Sequence, residues 1–263
     1  MNKLPQITLA FWVMKICATT LGETAGDLLS MTLNVGYALS SLILISMFVA
    51  TLVGQLSAKR YHPALYWLVI LSTSTAGTTM SDFMDRTLEV GYAGGSAILI
   101  AILLAIFAAW YRSEGSLSVD RITTRKGELF YWFAILFSNT LGTALGDFLA
   151  DDSGLGFAGG ALLIGSALAV VVLLKLLTRI PSVLLFWVAF VLTRPFGATL
   201  GDVLTKPYEK GGLDFGTAGS SMVLLGILVV LVTVAIALNR KPRQVARSAD
   251  RPAATRQHIS EAS

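Results

Sequence analysis

Four aspartates lie inside hydrophobic segments, each at the end of the same short motif, Gly-x-x-x-small-Asp. They are Asp27, Asp82, Asp147 and Asp202, and successive members are 55, 65 and 55 residues apart. A carboxylate near hydrocarbon is energetically unfavourable, so intramembrane aspartates usually have a functional role. Four of them at matched positions predict one site to which each of four repeats contributes a carboxylate.

Oxygen-bearing side chains accompany three of the four aspartates. Residues four and seven positions before an aspartate share its helix face; they are Glu23 and Thr20, Thr78 and Thr75, and Thr143 and Thr140. Oxygen ligands suit hard cations such as Ca²⁺, Mn²⁺ and Mg²⁺, and rings of acidic side chains select cations in channels. The predicted metal ligands are Glu23, Asp27, Asp82 and Asp147, and the predicted ion pathway adds Thr20, Thr78, Thr143, Asp202, Arg194 and Lys15.

Two basic residues, Lys15 and Arg194, also lie within apolar segments. Lys15 is twelve residues before Asp27, and Arg194 stands where the other repeats carry Thr, Ser or Asn. Basic residues at that depth usually face the protein interior and pair with carboxylates. Arg194 is expected to hold Glu23 or Asp27 through two parallel hydrogen bonds. In the alternative, Arg194 binds an anionic solute and the four motifs are scaffold.

The glycines of the motif have a predicted role in helix packing. Small residues four positions apart let helices approach closely in a membrane. The glycines are Gly22 and Gly26, Gly77, Gly142 and Gly146, and Gly197 and Gly201. Similar pairs open the following segments: Gly36/Ser40, Gly91/Gly95, Gly156/Gly160 and Gly216/Ser220. A purely structural role for the glycines, with aspartates that only end their helices in water, remains an open alternative.

The composition predicts a multi-pass membrane protein. Of 263 residues, 54% are hydrophobic and 14% are charged, and the mean hydropathy is +0.70, whereas a soluble domain carries about 25% charged residues. The single cysteine, Cys17, excludes an internal disulfide. Two histidines without suitably spaced partners do not predict a zinc enzyme. No cofactor is expected beyond a divalent cation as substrate, and the net charge of +4 does not imply a nucleic-acid partner.

Eight apolar stretches are each about 20 residues long, enough to cross a bilayer. They span residues 8–29, 35–56, 64–84, 92–111, 129–150, 155–177, 182–204 and 216–238. The predicted fold is an all-α membrane protein of eight transmembrane helices, arranged as four parallel two-helix repeats with pseudo-symmetry about an axis along the membrane normal. The repeats cover about 8–57, 63–112, 128–178 and 181–239 of a single transmembrane domain, 1–239. Residues 240–263 are predicted to be a disordered, basic cytoplasmic tail.

Basic residues are concentrated in the segments on one side of the predicted spans, including both terminal segments. By the positive-inside rule, both termini are therefore expected in the cytoplasm. Because the aspartate motifs end the odd-numbered spans, all four are expected near the outer face. The bilayer and a cation are the expected partners, and self-association into a homo-oligomer is left open.

Four stretches together resemble a known family: ATTLGETAGD at 18–27, YHPALYW at 61–67, TLGTALGD at 140–147 and LTRPFGATLGD at 192–202. The chain resembles, from about Leu4 to Asn239, a family of bacterial multi-pass proteins described as uncharacterised membrane-anchored proteins. This resemblance implies a location in the bacterial cytoplasmic (inner) membrane and brings no activity. A second similarity connects the segment from Glu23 to Asp27 with the Glu-x-Gly-Asp signature of Gdt1-like manganese/calcium transporters, with one extra residue. This similarity implies related ion chemistry but no common fold, because those transporters contain inverted repeats and the repeats predicted here are parallel.

The predicted function is transport of a cation, through a carrier or a channel, with Mn²⁺ or Ca²⁺ favoured. One alternative is a non-transport membrane module, such as a partner subunit, a sensor or an assembly factor. Another is a transporter of a small organic or anionic solute centred on Arg194. An enzyme is not expected, because an intramembrane aspartyl protease needs two facing aspartates, whereas this chain has four copies and no Tyr-Asp motif.

Overall fold

The computed structural model describes residues 4–249, without the side chains of residue 210 and of residues 239–249. Within that part the chain is all-helical, as predicted, with eight long α helices joined by turns and by two longer loops, at residues 115–124 and 206–216. They are α1 (Leu9–Asp27), α2 (Tyr37–Ser57), α3 (Pro63–Asp82), α4 (Tyr92–Glu114), α5 (Arg125–Asp147), α6 (Gly156–Leu177), α7 (Ser182–Thr205) and α8 (Thr217–Ala249). The first ten residues of the predicted tail therefore continue α8, and residues 250–263 lie outside the described part.

Six of these helices, α2 and α4 to α8, are long and apolar enough to cross a membrane. This supports the prediction of a multi-pass membrane protein. α1 and α3 fall short on hydropathy because α1 contains Lys15, Glu23 and Asp27, and α3 is rich in serine and threonine. Most of these polar side chains are buried in the protein, so they lower the hydropathy of the helix without facing lipid.

The odd-numbered helices form a closed inner ring. α1 contacts α3 and α7, and α5 contacts the same two helices from the opposite side. Each even-numbered helix packs on the odd helix of the following repeat: α2 on α3, α4 on α5, α6 on α7, and α8 back on α1. The apolar stretch of α5 is 72% buried, whereas that of α8 is 11% buried. The ring therefore forms the core, and the even helices surround it.

The first glycine of each aspartate motif packs against the next odd helix of the ring. A Cβ atom added there would collide with the residue eight positions before the next aspartate: Ser74 at Gly22, Asn139 at Gly77, Arg194 at Gly142 and Thr19 at Gly197. The second glycine of the motif faces the residue four positions before the aspartate of the next repeat: Thr78 at Gly26, Ala198 at Gly146 and Glu23 at Gly201. These small residues are thus used for close packing within the chain.

The glycines at the start of the even helices have a different role from the one predicted. Gly36, Gly91, Gly156 and Gly216 adopt φ angles of +80°, +74°, +67° and +69°, and nothing lies within 4 Å of a Cβ added to any of them. They permit a left-handed turn, which only glycine adopts without strain. The prediction that these four glycines belong to packing ridges is therefore wrong, because each adopts a positive φ angle where its even helix starts and contacts no neighbouring helix through the Cβ position.

Beyond the aspartate, the chain continues as one π-helical turn in three repeats: Leu28–Thr32, Phe83–Thr87 and Phe148–Asp152. In the fourth repeat α7 ends at Thr205, and a loop with a 3₁₀ turn at Tyr208–Lys210 leads to α8. The π-helical turns, and the start of the loop after α7, keep the residue four positions after each aspartate close to the aspartate end of the ring.

Candidate functional site

Two of the four motif aspartates share one arginine at the end of the ring. The Nε atom of Arg86 lies 3.0 Å from Oδ1 of Asp82, and its Nη2 atom lies 3.2 Å from Oδ2 of Asp147. Arg86 is four residues after Asp82, so it lies over the same helix face. It thereby connects the second repeat to the third.

The other two aspartates share Lys206 in the same way. Its Nζ atom lies 3.0 Å from Oδ2 of Asp27 and 3.1 Å from Oδ1 of Asp202. Burial lowers the pKa of Lys206, but the carboxylates of Asp202 and Asp27 raise it by more, and the result lies above the ordinary lysine value. Lys206 therefore stays protonated at physiological pH and joins the fourth repeat to the first.

A second layer lies one helical turn deeper, around Arg194. Its Nη2 atom lies 2.8 Å from Oε2 of Glu23, 2.6 Å from Oγ1 of Thr78 and 2.7 Å from Oγ1 of Thr143. Glu23, Thr78 and Thr143 all stand four residues before their aspartates, and the fourth repeat has the small Ala198 at that position. The predicted pairing of Arg194 with Glu23 is present, but it uses one nitrogen instead of two parallel hydrogen bonds.

The residues seven positions before the aspartates do not join this layer. The hydroxyl of Thr20 donates to the carbonyl of Ile16 at 2.9 Å, and Thr75 and Thr140 likewise donate to carbonyls of their own helices. Such bonds satisfy a buried hydroxyl locally. Thr20, which was predicted in the ion pathway, therefore has its hydroxyl engaged within α1.

Lys15 lies another turn deeper. Its Nζ atom donates to Oδ1 of Asn139 at 3.3 Å and lies 4.2 Å from the ring centroid of Phe190. Asn139 in turn donates to Oγ1 of Thr73 at 3.0 Å. Lys15 is fully buried. Within the described part of the chain, no carboxylate lies at ion-pair distance from it.

An aromatic collar closes the far end of the ring. It consists of the residues sixteen and fifteen positions before each aspartate: Phe11 and Trp12, Tyr66 and Trp67, Tyr131 and Trp132, and Phe186 and Trp187. The first member of each pair contacts the tryptophan of the next repeat, with centroid distances of 5.7 Å, 5.5 Å, 6.2 Å and 5.8 Å around the circle. At 1.5 Å per residue, the collar is about 24 Å from the aspartates.

Three carboxylates are close enough to hold one metal ion. Among the residues that the structure describes, Glu23, Asp147 and Asp202 each place an oxygen within 4.8 Å of the other two. The predicted ligand set shares Glu23 and Asp147 with this cluster. Asp202, predicted only in the pathway, belongs to the cluster. Asp27 and Asp82 do not belong to it, although they share Lys206 and Arg86 with Asp202 and Asp147.

The charges around this cluster are unequal. Five carboxylates, those of Glu23 and the four motif aspartates, face three basic side chains, Arg86, Lys206 and Arg194. If all are ionised, two negative charges have no basic partner. Buried unpaired charges are costly, so the arrangement favours binding of two protons or of one divalent cation.

Arg86, Lys206 and the aromatic collar were not among the candidates from sequence. Arg86 and Lys206 each stand four residues after an aspartate, which puts each of them over the helix face of that aspartate. The collar is visible as an aromatic-Trp pair at a fixed distance before each aspartate. Aligning the four repeats on their aspartates would have identified all three features.

Four successive segments match the family described as Repeat of Unknown Function (DUF347), at residues 10–61, 65–116, 130–180 and 185–241. The chain belongs to this family. Each matched segment contains one odd and one even helix, and the prediction of four repeats is confirmed. No curated protein and no solved structure matches the chain. This match is consistent with the resemblance to a family of uncharacterised membrane-anchored proteins. The similarity to Gdt1-like transporters stays a prediction.

Proposed function

We propose that the protein transports a cation across a bacterial cytoplasmic membrane, with a divalent ion such as Mn²⁺ or Ca²⁺ as the substrate. The observation that supports this most is the cluster of Glu23, Asp147 and Asp202, three buried carboxylates with oxygens within 4.8 Å of one another. Carboxylate oxygens are the preferred ligands of such ions. Buried carboxylates inside a membrane bundle are typical of ion pathways.

In this proposal all eight helices cross the membrane as four parallel repeats, with a pseudo-fourfold axis along the membrane normal. The recurring glycine and collar contacts between successive repeats support that symmetry. α1 and α3 cross because the surrounding helices separate their polar side chains from lipid. The distribution of basic residues places both termini in the cytoplasm and the aspartate end outside.

The cation enters from the aspartate end and replaces basic side chains as the partner of the carboxylates. The cation displaces Lys206 from Asp202 and Arg86 from Asp147, and it then reaches Glu23. Its two positive charges balance the two unpaired negative charges of the site. Since the collar closes the opposite end, release to the cytoplasm requires the collar to open.

Flux measurements with purified protein in liposomes test this function. Asp147→Asn is expected to reduce Mn²⁺ uptake by about tenfold or more, because a metal ligand is lost. Asp152→Asn is the matched control, since Asp152 lies five residues further on and is exposed. Equal uptake by wild type and Asp147→Asn, each well above that of protein-free liposomes, would refute a role of this carboxylate in transport.

Lys206 is expected to compete with the transported cation. Lys206→Gln removes the positive charge that Asp27 and Asp202 now share, so Mn²⁺ affinity should rise on the order of tenfold. The same variant should unfold at a lower temperature without metal, because two buried carboxylates lose their partner. Calorimetric titration and thermal unfolding of the same preparation measure both effects. A lower Mn²⁺ affinity in a folded Lys206→Gln protein would contradict the proposed competition.

The alternative of a non-transport module makes a different prediction for the carboxylates. The motif glycines of the odd helices are used in contacts between helices of the same chain, so a partner protein would have to bind the outer, even helices. In that case Asp147→Asn and Glu23→Gln would leave function unchanged. The flux comparison therefore separates the two hypotheses.

A further inference from the structure

A groove of about 530 Å³ lies at the collar end of the bundle, between α6, α7 and the N-terminal part of α1. We call it the α6–α7 groove. Its walls are mainly aliphatic side chains of the three helices. Four polar side chains line one end of it, which forms the mouth: Ser118, Asp120, Lys175 and Ser182. The groove therefore has an apolar interior and a polar mouth.

The length of the α6–α7 groove matches one leaflet of a bilayer. From Ser182 at the mouth to Thr193 at the deep end, α7 advances eleven residues, about 16 Å at 1.5 Å per residue. The hydrocarbon core of a bilayer is about 30 Å thick, so the groove reaches from the membrane surface to about the midplane. Since α6 and α7 are both apolar enough to cross a membrane, lipid chains surround this region.

Small side chains keep the α6–α7 groove open. Ala169 of α6 and Ala189 of α7 stand among the larger aliphatic residues of its walls. A void between helices is unfavourable, because the atoms that line it lose their van der Waals contacts. An apolar chain of matching length would restore these contacts.

The mouth of the α6–α7 groove carries a net positive charge. The ammonium of Lys175 donates to Oγ of Ser182 and has three donors in all, and the side chain is exposed. Lys175 can therefore bind a further acceptor. The loops beside the mouth, 119–124 and 178–181, contain Arg121 and Arg179 against the single carboxylate of Asp120. Basic pockets between transmembrane helices bind anionic lipid headgroups.

We propose that the α6–α7 groove binds one acyl chain of an anionic phospholipid, with the phosphate at Lys175. Phosphatidylglycerol is the test ligand. Charge favours this occupant over a second copy of the chain, because a copy inserted in the same orientation would bring the same basic loops to the mouth. Charge also favours it over a zwitterionic lipid, whose headgroup carries no net negative charge.

The α6–α7 groove borders the aromatic collar. Trp12 and Phe186 line it, and their ring centroids, 5.8 Å apart, form the contact between α1 and α7 in the collar. A bound acyl chain therefore packs against this contact and should stabilise the closed ring. The lipid site requires only that α6 and α7 cross the membrane, so it does not depend on cation transport.

Native mass spectrometry of the purified protein with equal amounts of phosphatidylglycerol and phosphatidylcholine tests the site. Wild type should retain phosphatidylglycerol in preference. Lys175→Gln should weaken its binding by about fivefold, the effect of one basic residue at a membrane surface. Ala189→Trp should block both lipids, because the indole fills the groove. The controls are Lys59→Gln, an exposed lysine of the loop between α2 and α3, and Val188→Trp, an exposed neighbour of Ala189 that does not line the groove.

Thermal unfolding of the same proteins provides a second measurement. Phosphatidylglycerol should raise the unfolding temperature of wild type and of Val188→Trp, and it should have little effect on Ala189→Trp. Neither experiment includes metal, so a failure of the lipid site and a failure of cation transport are distinguishable.

Three results would overturn the proposal. One is equal retention of the two lipids by wild type, or retention of phosphatidylglycerol by Lys175→Gln at the wild-type level. Another is lipid binding by a monodisperse Ala189→Trp protein that matches wild type. The third is a wild-type protein that carries no lipid and forms a dimer, which would assign the groove to a second copy.

Discussion

Arg194→Met is expected to lower the free energy of unfolding by about 3–5 kcal/mol, the cost of breaking a buried ion pair. Arg194 is fully buried and contacts Glu23, Thr78 and Thr143, which come from three different repeats. Without the guanidinium, the buried Glu23 carboxylate keeps hydrogen bonds from the hydroxyls of Thr78 and Thr143 and lies beside the carboxylates of Asp147 and Asp202. Thermal unfolding in detergent, followed by the fluorescence of the five tryptophans, measures the loss.

The double variant Glu23→Gln with Arg194→Met provides the control for this interpretation. Removing both members of the pair leaves the charge balance of the remaining site unchanged, whereas Arg194→Met alone adds one unpaired carboxylate, so the double variant should be more stable than Arg194→Met. A coupling energy of this kind is what a double-mutant cycle isolates. Destabilisation by the two changes that is simply additive would show that the Arg194–Glu23 contact is not an energetically coupled pair.

Gly77→Leu is expected to prevent the ring from forming, with a loss of more than about 4 kcal/mol, as for severe overpacking of a core. A Cβ atom at Gly77 would already lie 2.9 Å from the backbone carbonyl carbon of Asn139 and the backbone nitrogen of Thr140. Backbone atoms of a packed helix cannot move aside as a side chain can. The yield of monodisperse protein and its unfolding temperature measure the effect.

Gly226→Leu is the matched control for this substitution. Gly226 lies in α8 on the exposed outer surface, and nothing is within 4 Å of a Cβ added there. This variant should fold like wild type. If Gly77→Leu were as stable as Gly226→Leu, the close contact between α3 and α5 would not be required for the fold.

The helices and the convergence of polar groups follow from sequence because their signals are local and periodic. Hydrophobic runs of about 20 residues identify the helices, and a carboxylate repeated at one position in each run predicts that the copies meet. Glu23 was recognised because it shares a helix face with Asp27. Its pairing with Arg194 could be anticipated, since a buried arginine needs an anionic partner.

The contacts between repeats could not be obtained from the same signals. Nothing in a hydropathy profile indicates that α2 packs on α3 or that α8 packs on α1 to close the circle. Hydroxyl groups were also ambiguous: Thr78 contacts Arg194, but Thr20 donates to its own helix. Whether a hydroxyl bonds to its own helix or to another side chain depends on whether a neighbouring helix places a partner within reach. That placement is set only when the ring is assembled.

Calorimetric titration of the purified protein with Mn²⁺, Ca²⁺, Mg²⁺ and Zn²⁺ tests most directly whether the buried carboxylates form one cation site. Wild type, Asp147→Asn, Asp202→Asn and the exposed control Asp152→Asn should be measured side by side. We expect wild type and Asp152→Asn to bind a hard divalent ion selectively, and the other two variants to bind it about tenfold or more weakly. Binding that is equal in all four proteins, or absent from wild type for every ion, would contradict it.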